Sequence, residues 1–193
     1  MLKLNEIEEI IKTNLNKVVI IDEAYIDFGG ESALKLINEY DNLLVIQTFS
    51  KSRSLAGMRL GFALGNKELI KGLKNIKFSF NSYTINRLSI LAGIEAFKDE
   101  EYFKESVSKI IMTREKIKEE LKKLDFKVLD SKSNFLFISH DKVFAEDIYL
   151  QLKEKGILVR YFKQDIINNF IRVTIGTDEE MIIFIKALKE IIN

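Results

Sequence analysis

Thr48-Phe49-Ser50-Lys51 sets a lysine directly behind two hydroxyl residues; Gly57-Met58-Arg59 follows it, and the run Ile20-Ile21 ending in Asp22-Glu23-Ala24-Tyr25 precedes it. A lysine amine held unprotonated condenses with an aldehyde to form a Schiff base. A carboxylate keeps an aromatic ring nitrogen protonated, while hydroxyls and a guanidinium grip a phosphate. Together these residue types are the parts of a site for pyridoxal phosphate (PLP), which carries an aldehyde, a pyridine ring and a phosphate.

Each residue has an ordinary reading beside the chemical one. A loop lysine is usually solvated, but Lys51 stands just beyond a buried strand and near Arg59, where an amine can be desolvated. Asp22 is either the partner of a pyridine nitrogen or a turn acceptor at a strand end. Tyr25 is either a hydrogen-bond partner of the cofactor's phenolic oxygen or a packed aromatic. Ser50 and Arg59 form a phosphate cradle, with Thr48 and Ser52 as weaker members, or Arg59 is a surface cation. Further on, Arg160 and Arg172 sit at or inside apolar strands, where a guanidinium needs a protein carboxylate or an anionic substrate. His140, the single histidine, reads as a strand-end surface residue, and no metal-binding pair is present.

The elements that must position these groups follow from periodicity. Leu4 to Asn16 has helical spacing of apolar residues, whereas Val18 to Ile21 and Leu43 to Thr48 are continuous apolar runs of the kind found in strands covered on both faces. A third strand, Leu60 to Leu64, is expected to run antiparallel because only a short turn precedes it. Helices are expected from Asn66 to about Ile76, Thr84 to Lys98 and Glu101 to Lys123, the last able to bridge two domains. Short strands at Lys127 to Leu129, Phe135 to Ser139, Ile157 to Arg160 and Phe170 to Thr174 alternate with helices at Val143 to Lys155 and Asp178 to Ile192. The pattern predicts an α/β chain with a second, smaller α/β unit and a boundary near residue 100. In such sheets ligands gather beyond the carboxyl ends of strands, where Asp22, Tyr25, Ser50 and Lys51 lie.

Composition narrows the partners. Lys+Arg 30 against Asp+Glu 29 leaves a net charge of +1, so no basic field recruits nucleic acid or an anionic membrane. With no apolar run near the roughly 18 residues of a membrane span, no membrane partner is expected. The absence of cysteine excludes disulfides and thiolate metal sites and fits a cytoplasmic setting.

Asp22-Glu23-Ala24-Tyr25-Ile26-Asp27-Phe28, Thr48-Phe49-Ser50-Lys51-Ser52, Leu55-Ala56-Gly57-Met58-Arg59-Leu60-Gly61, Ser133-Asn134-Phe135 and Ile171-Arg172-Val173-Thr174-Ile175-Gly176-Thr177 occur in this order. In order and spacing they closely resemble the histidinol-phosphate aminotransferases, fold-type I PLP enzymes of histidine biosynthesis. The resemblance implies the C-terminal portion of that fold: part of a mixed, mostly parallel large-domain sheet with helices, plus a small C-terminal α/β domain, with residues 1–100 as a partial PLP-binding large domain and 101–193 as a bridging helix and the small domain. It also implies Lys51 as the cofactor-bearing lysine and proton shuttle, Asp22 on the pyridine nitrogen, Tyr25 on the phenolic oxygen, and Ser50 and Arg59 on the cofactor phosphate. Arg172 would take the α-carboxylate of the amino donor and Arg160 the substrate phosphate, with Asn134 as a pocket residue. The implied substrates are histidinol phosphate and imidazole acetol phosphate with 2-oxoglutarate and glutamate, handled by a cytoplasmic homodimer. Threonine-phosphate decarboxylases share much of the motif set, and a catalytically silent fragment is the third reading. Members of the family are nearly twice as long, so a segment before Met1 is expected to complete the site.

Overall fold

The computed structural model describes residues 1–192 and divides into two compact units, Met1–Ser106 and Val107 onward. In the first unit, helix α1 (Leu4–Thr13) leads to strand β1 (Val19–Asp22), and two short 3-10 turns, Ile26–Phe28 and Ala33–Leu36, precede β2 (Leu43–Thr48). A third 3-10 turn, Ala56–Met58, opens onto β3 (Gly61–Gly65), followed by helices α2 (Lys67–Phe80) and α3 (Arg87–Lys98). The sheet has order β1-β2-β3, with β1 parallel to β2 and β3 antiparallel to it, as the short connection requires. Its core joins Ile7 and Ile11 of α1 with Ala33, Leu36, Leu43 and Val45, each of the larger side chains contributing about 1.5–3 kcal/mol by leaving water.

Two expectations change here. The run Val18 to Ile21 is not covered on both faces. Val19 and Ile21 pack on the α1 side, while Ile20 is 57% exposed, because β1 is the edge of this sheet and nothing in the unit covers its second face. The helix expected from Thr84 begins only at Arg87, where the Asn86 side chain accepts the Ser89 N–H at 2.8 Å. Asn66 caps α2 in the same way through Glu68 N–H, and α2 continues to Phe80.

The boundary between the units falls within α4 (Glu100–Lys122). Beyond it lie β4 (Phe126–Val128), β5 (Phe135–His140), α5 (Ala145–Glu154), β6 (Arg160–Tyr161), β7 (Ile171–Thr174) and α6 (Asp178–Ile192). The four strands form a fully antiparallel sheet of order β4-β5-β7-β6. Strand alternation then decides the faces. Leu136, Ile138, Ile171 and Val173 point into a core with Ile117, Leu121, Ile148, Leu152, Phe184 and Leu188 of the helices. Phe135, Phe137 and Arg172 point the other way. The strand expected from Ile157 is reduced to Arg160–Tyr161, because only these two residues find ladder partners on β7.

His140 is a further correction. It is 4% exposed rather than on the surface, with its ring against Phe126 and its Nδ1 accepting the N–H groups of Lys142 and Val143 at 3.3 and 3.2 Å. It ends β5 and shapes the turn into α5. Among the described residues no helix is long and apolar enough to cross a membrane, and no group of three or more metal-binding side chains occurs.

Candidate active site

The first unit brings its chemical residues to the ends of β1 and β2. The parallel register pairs Asp22 with Ile46, so the chain leaves both strands at the same edge. Asp22 is exposed at that edge and accepts the N–H of Ala24 through Oδ1 at 3.0 Å, which turns the chain toward Tyr25. From the other strand, Lys51 places its ammonium 5.5 Å from the centre of the Tyr25 ring.

Local packing explains why Lys51 projects outward. Phe49 is buried edge-on against Phe62, at 5.7 Å between ring centres, and its N–H and C=O bond to Leu60 and Leu55. With Phe49 turned inward, its neighbours face the strand ends. Thr48 Oγ1 donates to Ser50 Oγ at 2.9 Å and accepts the Ser50 N–H at 3.1 Å, so the two hydroxyls lie together. Ser54 and Arg59 adopt left-handed backbone conformations, with φ of 57° and 53°, which L-residues seldom occupy. Such strain gathers at functional loops. Arg59 is exposed, and its guanidinium bonds to the Ala56 carbonyl at 3.1 Å, on its own turn.

Sequence reasoning missed the polar groups beneath this surface. Glu23 is 5% exposed and accepts three hydrogen bonds: from Ser32 Oγ and Gln47 Nε2 at 2.8 Å each, and from Ala33 N–H at 2.7 Å. Ser52, expected as a weaker member of the phosphate cradle, is instead buried and donates to Asp27, because its side chain turns back toward the first motif. Arg53 bonds to the Ala96 carbonyl and lies over the Phe103 ring at 3.8 Å, fastening the loop after Lys51 to α3 and the first turn of α4. The available signal was the placement of carboxylates immediately around Asp22 and Tyr25, one of which would have to be structural.

In the second unit, Arg160 and Arg172 are direct cross-strand partners, and Phe137 lies opposite Arg172 on its other side. Both guanidiniums approach Phe162, at 5.5 and 5.9 Å from its ring centre, and Arg172 also lies 5.2 Å from that of Phe135. Like charges placed opposite each other repel. Arg172 Nε is nevertheless buried with no hydrogen-bond partner among the described residues, leaving a donor suited to an anion. Asn134 is half-buried just before β5, and its carbonyl accepts the N–H of Ile175 at 2.9 Å. Beneath it, the buried guanidinium of Arg114 donates to the Ser133 carbonyl at 2.8 Å. Asp22, Tyr25, Ser50, Lys51 and Arg59 thus lie in one unit and Asn134, Arg160 and Arg172 in the other.

Residues 1–188 match the sequence profile described as aminotransferase class I and II. The chain belongs to this family. It is 71% identical over 194 residues to a histidinol-phosphate aminotransferase of Brachyspira hyodysenteriae, a match covering all of this chain and 55% of that protein. The chain therefore spans about half the length of the curated relatives it matches. Among solved structures it is similar to the histidinol-phosphate aminotransferase of Clostridium acetobutylicum, with TM-score 0.85 and 28% identity over 98% of this chain and 58% of that one. It is also similar to the enzyme of that name from Sinorhizobium meliloti in complex with pyridoxal-5'-phosphate, with TM-score 0.84 and 26% identity over 96% of this chain and 52% of that one. The fold is accordingly the fold-type I aminotransferase fold in part, with a mixed sheet in the first unit.

Proposed function

We propose that the chain serves PLP-dependent transamination in histidine biosynthesis, moving an amino group between histidinol phosphate and 2-oxoglutarate. The observation that carries this reading is the approach of Lys51 to Tyr25 at the shared edge of β1 and β2, beside Asp22 and the Thr48–Ser50 hydroxyl pair. The identity to histidinol-phosphate aminotransferases supports it.

The donor set fits the cofactor. Ser50 and Arg59 would hold its phosphate, Asp22 its ring nitrogen, Tyr25 its phenolic oxygen and Lys51 its aldehyde carbon. Bound there, PLP supplies an electron sink that makes the substrate Cα–H acidic. Lys51 Nζ would take and return the Cα proton, a role that calls for an unprotonated amine within reach of that carbon. Arg172 would bind the substrate carboxylate through the fork that includes its unpartnered Nε, and Arg160 the substrate phosphate, with Asn134 as a further substrate contact. Phe135 and Phe162 flank the half-buried Arg172 guanidinium, which strengthens its attraction to an anion, whereas Arg160 is exposed. A cytoplasmic homodimer is the proposed working form; the exposed apolar side chains of α2 and α3 and the lack of cysteine accord with it.

The assay supplies the purified chain with PLP, histidinol phosphate and 2-oxoglutarate and follows glutamate. Glutamate formation supports the reading. Carbon dioxide release from threonine phosphate without amino transfer would replace it with a decarboxylase.

A further inference from the structure

Along the two motifs, residues that face the strand ends are interspersed with polar residues that bond across to the other motif. In the first, Asp22 and Tyr25 face the strand ends, while Glu23 is buried and Asp27 reaches across to the other motif. In the second, Ser50 and Lys51 face the strand ends, while Gln47 and Ser52 turn back toward Glu23 and Asp27. Two cross-links result. Glu23 to Gln47 lies on the strand side of the Lys51–Tyr25 approach, and Asp27 to Ser52 lies on its loop side.

We infer that Glu23, Gln47, Asp27 and Ser52 are positioning residues, two braces that fix the Asp22–Tyr25 turn against the Ser50–Lys51 loop. Burial of a carboxylate without a cationic partner is costly, and Glu23 keeps it tolerable only by accepting three hydrogen bonds from two segments: the Ser32 hydroxyl and the adjacent Ala33 amide on one side and Gln47 of β2 on the other. A group with that many partners from separate segments holds them in one arrangement. Plain packing would not need it, since an apolar side chain could fill the same space without desolvation cost. Asp27 sits in the 3-10 turn Ile26–Phe28 that directly follows Tyr25, and Ser52 directly follows Lys51. The brace therefore acts one or two residues from each group that it positions. Neither brace touches the cofactor or substrate in the proposed reading, on which this inference rests.

The test compares the purified chain with Ser52→Ala, Glu23→Gln and Ile11→Val, the last a core change outside the site. Two quantities are read: the dissociation constant for PLP together with the pH midpoint of the adduct's visible absorbance, and, without PLP, the proton resonance of the Lys51 ε-methylene, displaced by the nearby Tyr25 ring. Misplacement of a reacting group by about 1 Å is enough to cost about a hundredfold in rate, and the same displacement loosens the groups that would hold PLP. Both brace variants should weaken PLP binding by about tenfold or more, move the pH midpoint, and return the Lys51 resonance to that of a free lysine. Ile11→Val should lower thermal stability and leave both readings in place. An unchanged Lys51 resonance in both brace variants would overturn the inference. Failure of the wild type to take up PLP would overturn the aminotransferase reading instead, and the Lys51 resonance would still decide the braces.

Discussion

Residue type alone singled out Lys51, Asp22 and Arg172 as candidates; the fold leaves Lys51 and Asp22 exposed at the strand ends and only Arg172 partly buried. Type could not tell Asp22 from Glu23. Which of two adjacent carboxylates is buried depends on the Ala33–Leu36 turn and on Gln47, both distant in sequence. His140 was misread for the same reason: its burial comes from Phe126 and from the two amides of the following turn. Arg160 gives a test at this scale. Replacing it by Gln removes the like charge opposite Arg172 and should stabilise the second unit by about 0.5 kcal/mol at low salt. Added inorganic phosphate should raise the melting temperature of the wild type more than that of Arg160→Gln, as followed by circular dichroism; an equal rise would place the anion elsewhere.

Elements were legible where local signals agreed. The apolar run Leu43 to Thr48 and the helix Asp178 to Ile192 appear with the bounds that periodicity gives, and Asn66 starts α2 as its side chain predicts. Ile157 to Val159 look like a strand by composition, but pairing is not a local property and β7 offers partners only to Arg160 and Tyr161. Close approach of β3 to β2 yields a second prediction. A Cβ on Gly61 would stand 2.9 Å from the Gln47 carbonyl, and this neighbour is backbone. Gly61→Ala should therefore cost about 1–3 kcal/mol in denaturant unfolding and weaken PLP binding, because β3 enters the sheet opposite Thr48. The anchoring of α1 gives a third. Hydrogen bonds from Lys12 and Tyr40 hold the Glu8 carboxyl below its ordinary value of 4.5. A carboxyl lowered in this way adds stability that is present above its unfolded value and lost as pH falls through the folded one. Below pH 4.5 the melting temperature should fall more steeply in the wild type than in Glu8→Gln.

For the whole molecule, a net charge of +1 gives little mutual repulsion, and many apolar side chains stay in water. Ile76, Phe78 and Phe80 of α2 are 67%, 64% and 91% exposed. The purified chain should bind a hydrophobic dye and self-associate, and Ile76→Lys with Phe80→Lys should reduce both. Periodicity pointed to two units without showing that the second sheet is wholly antiparallel, since strand direction there depends on pairings between distant segments. The claim that ties residue, element and molecule together is that this fold delivers one lysine to the cofactor. It is tested most directly by adding PLP to the purified chain, reducing with borohydride and mapping the modified peptide by mass. A single adduct on Lys51, absent from Lys51→Ala, is the predicted result; an adduct on another lysine, or none on a folded chain, would contradict it.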